Sequence, residues 1–229
     1  MHQFNDMDGV LFDLDGTLVS DGKALPWARE LVDASKGNFV IVTNDAEHTN
    51  HEISRMMQQV GLAVDADRIV MAGMEAIRLV AEEMPGAKVA LAASSSLQTY
   101  AQSLGLHLSD SDPDVVLIGR DRNFSYDTIR MASNAVLAGA QLVVCNPDLT
   151  HPGSRGTIVP ETGALAASIL ACTGPVAYRI VGKPEPGIFL AGMRLLGSDP
   201  SRTLMVGDNP NTDGMGAARV GMHFFQVGV

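Results

Sequence analysis

Short runs of aliphatic and β-branched residues alternate with segments of helical periodicity along the whole chain. Parallel strands need a crossover, usually a helix, so this alternation predicts an α/β protein built on parallel sheets. Val10 to Phe12 forms the first run, followed by a polar turn and a helix from Pro26 to about Ser35. Phe39–Val42 is the second run, then a helix with Ile53, Met56, Met57 and Val60 on one face, and a third short run, Arg68–Met71. A further helix carries Ile77, Val80, Ala81 and Met84 on one side until Pro85-Gly86 breaks the pattern.

A second series of strands begins there, at Val89–Ala92, Val115–Ile118, Leu142–Cys145 and Ala177–Val181. The expected organisation is therefore a core domain over residues 1–85 plus 177–229 and an inserted α/β domain over 86–176. Asn146 to Gly163 reads as a loop longer than a plain connection requires, and such loops inside compact domains are often functional. The last strands are Thr203–Val206 and His223–Val227.

Chain length and charge narrow the class. With 229 residues, 46% hydrophobic and 18% charged, the chain is long enough to bury a substantial core. Its formal charge is −10 and no Lys/Arg cluster is visible, which argues against nucleic acid as a partner. No uninterrupted apolar run reaches the roughly 18 residues of a spanning helix, and the first six residues lack the features of a signal peptide, so a cytoplasmic location is expected. The two cysteines, Cys145 and Cys172, lack a Cys-x-x-Cys spacing and are expected to be buried free thiols.

The chemical signal lies where apolar runs end. Val10-Leu11-Phe12 leads directly into Asp13-Leu14-Asp15-Gly16-Thr17. Side chains two apart along a strand share a face, so Asp13 and Asp15 are expected to project to the same side; two carboxylates held close together disfavour joint ionisation, and one can act as nucleophile or cation ligand while the other handles protons. Alone, this stretch also admits a lesser reading as an acidic turn closing a buried strand, and a weaker one as a calcium loop, whose pattern Leu14 and Thr17 break. Three more polar clusters follow apolar runs: Thr43-Asn44, Lys183, and Asp208 with Asp213. In open α/β sheets ligands bind beyond the carboxyl ends of the strands, where all four can meet. Carboxylate, hydroxyl and lysine groups together suit phosphoryl transfer through a covalent aspartyl phosphate.

Taken in order, Asp13-Leu14-Asp15-Gly16-Thr17, Thr43-Asn44, Lys183-Pro184 and Gly207-Asp208 through Asp213 resemble the four motifs of the haloacid-dehalogenase-like hydrolases. The resemblance spans nearly the whole chain. It implies a Rossmann-like parallel core and a Mg²⁺-dependent phosphomonoesterase acting on a small phosphorylated metabolite. By the same resemblance Asp13 is the nucleophile and a metal ligand, and Asp15 the general acid/base, giving its backbone carbonyl to Mg²⁺. Thr43 with the backbone around Asn44 binds phosphate, Lys183 pairs with nucleophile and phosphate, Asp208 binds the metal, and Asp213 stands behind it. Dehalogenating members lack a carboxylate at the position of Asp15, which favours a phosphatase. A phosphotransferase or mutase using the same aspartyl phosphate, and a phosphometabolite-binding module without turnover, are the alternative readings.

Spacing places the inserted domain. Only 25 residues separate Thr17 from Thr43, whereas 138 separate Asn44 from Lys183. That resembles the type-C2-capped, NagD-like and p-nitrophenyl-phosphatase-like group, subfamily IIA, as do Asn146-Pro147-Asp148 and Pro160 to Leu165. Relatives in the group often pair through the cap, and many run somewhat beyond the last strand, so that an edge element is expected to be missing here; some place a histidine near His151 against the substrate, and His151 reads equally as that contact or as a solvated loop histidine. The second motif departs from the group's pattern in Asp45-Ala46-Glu47-His48-Thr49, whose added negative charge is expected to disfavour highly anionic leaving groups. His2, His48, His107 and His223 lack metal-ligand spacing and read as structural or surface residues.

Overall fold

The computed structural model describes residues 4, 6–153 and 156–228; His2 lies outside them. The chain forms two compact units, one of residues up to Thr43, Asn50–Met71 and Lys183 onward, the other of Asn44–Thr49 and Ala72–Gly182. In chain order the first unit begins with β1 (Gly9–Phe12), a small hairpin of β2 (Val19–Ser20) and β3 (Lys23–Ala24), α1 (Ala28–Ala34), β4 (Phe39–Thr43), α2 (Asn50–Gln59) and β5 (Ile69–Met71). The second unit contributes α3 (Ala72–Glu83), β6 (Lys88–Ala92), α4 (Ser95–Ser103), β7 (His107–Leu108), β8 (Val115–Ile118), α5 (Tyr126–Leu137) and β9 (Gln141–Val144). It continues with a hairpin of β10 (Thr150–Pro152) and β11 (Ile158–Pro160), then α6 (Thr162–Thr173) and β12 (Tyr178–Ile180). The first unit is completed by α7 (Pro186–Leu196), β13 (Thr203–Gly207), α8 (Met215–Val220) and β14 (His223–Gln226).

The first unit's sheet is parallel throughout, in the order β14-β13-β1-β4-β5. β1 sits at its centre with every residue buried, which is why its sequence is continuously apolar instead of alternating. The chain leaves β1 toward β4 and β5 on one side and returns to β13 on the other, so the strand order reverses beside β1. Such a reversal opens a crevice at the carboxyl ends of the two strands. Register brings those ends level, with Phe12 opposite both Val206 and Ile41. α7 lies close on this sheet because Gly192 has no side chain; a Cβ there would meet Leu11 Cδ2 and Val42 Cγ2 at 2.9 Å.

The second unit has its own parallel sheet, β12-β9-β8-β6-β7. Residues of one parity, Ala90, Ala92, Val116, Ile118, Leu142 and Val144, pack against Ala132 and Val136 of α5 and Ala166 and Ile169 of α6. Ser125 starts α5 with a capping box closed by Thr128. The helix that ends before Pro85 groups with this unit, where α3 packs on α4.

The short strands and one cysteine differ from the sequence reading. Both hairpins read in sequence as turn or loop, and β7 falls in a stretch with no assignment, because strands of two or three residues are too short to show alternation. Cys145 is a buried free thiol as expected, but Cys172 is exposed on α6. The apolar composition of α6 does not distinguish its outer face from its packed one. Among the described residues no helix is long and apolar enough to cross a membrane.

Candidate active site

The first unit gathers its charged residues just beyond β1. The Asp13 N–H donates to the Val206 carbonyl at 2.9 Å, continuing the pairing with β13 by one residue. The chain then turns about the Leu14 carbonyl, which accepts the N–H groups of Leu18 at 2.9 Å and Val19 at 3.0 Å. Gly16, at φ +83°, lies in the left-handed region, and a Cβ there would run into the Asp208 carboxylate. Gly207 does the same for Asp213, whose carboxylate occupies the place of a Cβ. The two glycines thus let two acids approach the backbone.

Asp13 is held by donors on both oxygens. Lys183 Nζ donates to Oδ1 at 2.5 Å and the Thr17 hydroxyl to Oδ2 at 2.9 Å. The same ammonium donates to Asp213 Oδ1 at 2.7 Å. Asp13, Lys183 and Asp213 are 6%, 2% and 0% exposed, so this is a buried charge cluster, stable only because its members satisfy one another. Burial opposes the lysine's charge, but the carboxylates of Asp13 and Asp213 outweigh it and raise the Lys183 pKa, keeping the ammonium protonated.

The acids outnumber the cation. Carboxylate oxygens of Asp13, Asp208 and Asp213 lie within 4.8 Å of one another. Burial pushes Asp213 up to about 7, against the pull of Lys183 and with the added repulsion of Asp13. Burial and then the Asp13 charge also raise Asp208. Clustered hard oxygen donors with surplus negative charge fit a divalent cation, whose charge would relieve that repulsion. Asp213 is already engaged, Oδ1 by Lys183 and Oδ2 by the Asn209 N–H at 3.2 Å.

Comparison with known proteins decides the family. A model of the haloacid dehalogenase-like hydrolases matches residues 7–221. The chain belongs to the haloacid dehalogenase-like hydrolases. It is 31% identical over 206 residues to dihydroxyacetone phosphatase of Corynebacterium glutamicum (strain R), covering 89% of this chain and 74% of that protein. Among solved structures, NagD from E. coli K-12 superposes with a TM-score of 0.87 at 27% identity, covering 96% of this chain and 87% of the other. The glycerol phosphate phosphatase of Mycobacterium tuberculosis, solved in complex with calcium, gives a TM-score of 0.89 at 26% identity, covering 98% and 67%. The expected kinship with the NagD-like group agrees with these neighbours.

The remaining sequence-selected residues of this haloacid dehalogenase-like hydrolase are placed differently. β1 ends at Phe12, so strand alternation does not extend to Asp13 and Asp15; Asp13 is buried while Asp15 is exposed on the turn, outside the group of three acids. Thr43 is the last residue of β4 and 2% exposed. Asn44 and His151 belong to the second unit. Asn44 Nδ2 donates to Asp148 Oδ2 at 2.9 Å, and His151 Nδ1 pairs with Glu161 Oε1 at 2.6 Å.

Asp45, expected to add negative charge toward the substrate, spends its carboxylate locally. It accepts the N–H groups of Glu47 at 2.9 Å and His48 at 2.8 Å and faces His48 Nδ1 at 2.7 Å. The Thr17 hydroxyl has no assigned role in the sequence motif; its spacing of four residues from Asp13 is the available signal for the contact. Nothing in sequence signalled that Gly16 and Gly207 make room for Asp208 and Asp213, because those approaches are tertiary.

Proposed function

We propose that this phosphatase hydrolyses small phosphate monoesters of the ketose or polyol type through an aspartyl phosphate formed on Asp13, with Mg²⁺ as the cation. One observation carries the reading: the Asp13 carboxylate is held on both oxygens, by Lys183 and Thr17, at the strand reversal, and is thereby oriented. The phosphatase names of its relatives, dihydroxyacetone and glycerol phosphate among them, support the substrate class.

In the proposed reaction an Asp13 oxygen attacks phosphorus in line, the bond from phosphorus to the leaving oxygen breaks, and Asp15 protonates that oxygen. Asp15 then takes a proton from water, which attacks the acyl phosphate and frees Asp13 and inorganic phosphate. The exposure of Asp15 suits a group that must reach both leaving group and water. Lys183 and the Thr43 hydroxyl stabilise charge on the phosphoryl oxygens. Asp13, Asp208 and the Asp15 carbonyl would hold Mg²⁺, which when bound supplies further neutralisation of that charge. The second unit is the inserted cap, and the enzyme acts on metabolites of the cytoplasm.

The test is Asp13→Asn assayed with glycerol phosphate, dihydroxyacetone phosphate and p-nitrophenyl phosphate. Turnover should fall by at least about a thousandfold while unfolding stays cooperative. With ¹⁸O-labelled water, wild-type enzyme should release one labelled oxygen per phosphate. Near-wild-type turnover of the variant, or phosphate passing to another acceptor without label, would overturn the proposal.

A further inference from the structure

The chain passes between its two units at four peptide bonds, Thr43-Asn44, Thr49-Asn50, Met71-Ala72 and Gly182-Lys183. Two of these bonds adjoin residues of the proposed phosphate site, since Thr43 and Lys183 are each the first residue beyond the second unit. Within that unit, three of the four departing residues meet at the end of β9. The Gly182 N–H donates to the Cys145 carbonyl at 2.7 Å. A Cβ on Gly182 would lie 2.5 Å from Asn44 Oδ1, 2.8 Å from the Cys145 oxygen and 3.0 Å from Ala72 Cβ. The absent side chain lets these strands of chain leave side by side.

Asn44 is gripped at both its backbone and its side chain. Asn146, 1% exposed, donates from Nδ2 to the Asn44 carbonyl at 2.6 Å, and Asp148 Oδ2 accepts the Asn44 amide at 2.9 Å. The two gripping residues brace each other, because the Asp148 N–H donates to Asn146 Oδ1 at 3.0 Å. Thr162 Oγ1, at 3.3 Å from Asn146 Nδ2, ties the same amide to the start of α6. The following residues are pinned too: the Asp45 carbonyl accepts the Gly73 N–H at 3.0 Å and the Ala46 carbonyl the Arg120 N–H at 2.9 Å. A carbonyl accepting a hydrogen bond from a buried, braced amide fixes the plane of its own peptide. Holding the Asn44–Asp45 peptide together with the Asn44 side chain fixes the Asn44 Cα, and the planar Thr43–Asn44 peptide carries that restraint one residue back to the Thr43 backbone.

We infer that Asn146 and Asp148 are positioning residues that act through Asn44 on the Thr43 hydroxyl and thereby set the affinity of the site for a phosphoryl group. The inference rests on the reading of Thr43 as a phosphate ligand. A hydroxyl that contacts a phosphoryl oxygen in both ground and transition state alters KM and phosphate affinity more than kcat when displaced.

The test compares full-length wild type with Asn146→Ala, Asp148→Ala, Asp148→Asn, Thr43→Ala and the doubles Thr43→Ala/Asn146→Ala and Thr43→Ala/Asp148→Ala. The readouts are Ki for inorganic phosphate, and KM and kcat for p-nitrophenyl phosphate. Asn146→Ala and Asp148→Ala should each raise Ki and KM about tenfold with kcat held within about threefold, below the hundredfold that a 1 Å misplacement can cause. Asp148 is only partly buried, so its variants remain readable if Asn146→Ala does not fold. Asp148→Asn keeps an acceptor for Asn44 and should stay near wild type. In the Thr43→Ala background neither substitution should change Ki by more than about twofold. Equal effects in both backgrounds, an unchanged Ki in Asp148→Ala, a fall in kcat at constant KM, or a loss in Asp148→Asn as large as in Asp148→Ala would overturn the inference. A wild-type Ki in Thr43→Ala would instead remove the phosphate-ligand reading, and the inference with it.

Discussion

Lys183 decides whether the acids of the first unit can stay buried. It is the ammonium shared by Asp13 and Asp213, and both carboxylates are almost inaccessible to water. Replacing it by the apolar Lys183→Met should destabilise the metal-free protein by about 3–5 kcal/mol, the cost of leaving buried charge without its partner. Adding Asp213→Asn to that variant should restore part of the loss. Urea midpoints of the three proteins check this, and a loss under about 1 kcal/mol for Lys183→Met contradicts it. Asp45 offers a second test, in which the sign depends on pH. Burial alone would raise its pKa, yet the hydrogen bonds from His48 and from the N–H groups of Glu47 and His48 leave it below the ordinary carboxylate value. A carboxyl that titrates lower folded than unfolded stabilises the fold above the ordinary range, and the contribution is lost as pH falls through the folded-state value. Asp45→Asn should therefore be about 1–2 kcal/mol less stable at pH 7, with the gap closing once the pH has fallen below the ordinary carboxylate range. A gap that is constant or grows in acid would refute the argument. Asp13 and Lys183 were legible as site residues from the order of motifs, because each follows an apolar run. The local use of the Asp45 charge was not, since the extra carboxylate reads in sequence only as a departure from the usual second motif.

At the level of elements, legibility followed length and burial. β1, β4 and β13 are wholly buried runs of four or five residues, and each was readable as a strand. The two hairpins offered neither length nor a hydrophobic face. Helix packing was the least legible, and α8 shows why. Gly216 reads in sequence as a weak helix former, whereas in the structure a Cβ at that position would enter the ring of Phe189 on α7. Phe189 is 0% exposed, so its ring is enclosed by the core. Gly216→Ala gains about 1 kcal/mol in helix propensity, but overpacking a closed core typically loses about 1–3 kcal/mol. The overlap here is with a rigid ring, so packing should win and the variant should be the less stable by chemical denaturation. Pairing it with Phe189→Leu should recover stability relative to Gly216→Ala alone, and a stabilised single variant would show that α8 shifts freely.

For the whole chain, composition and strand alternation implied a parallel α/β protein with an insertion, while the division into compact units depends on packing that turn signals do not encode. Pro85-Gly86 marks the end of α3, but α3 itself groups with the second unit through residues such as Gly73, which sits against Ala46 and Leu97. The acidic cluster has a consequence for the stability of the whole chain. Asp208 and Asp213 have raised pKa values because burial and neighbouring negative charge disfavour their ionised forms, so the metal-free fold bears an unrelieved repulsion. A cation that binds only the folded chain stabilises it by mass action, about 2.7 kcal/mol at a hundredfold excess over its dissociation constant. For a chain of this size that corresponds to a rise of roughly 5–10 °C in melting temperature. Mg²⁺ should therefore raise the melting temperature and EDTA should reverse the rise. Asp208→Asn separates this effect from general ionic strength. Removing that carboxylate relieves repulsion, so the metal-free variant should melt no lower than metal-free wild type, while its response to Mg²⁺ should vanish. A variant that still gains several degrees from Mg²⁺ would place the cation elsewhere, and a wild type indifferent to Mg²⁺ would leave the surplus of acids without the role proposed for it.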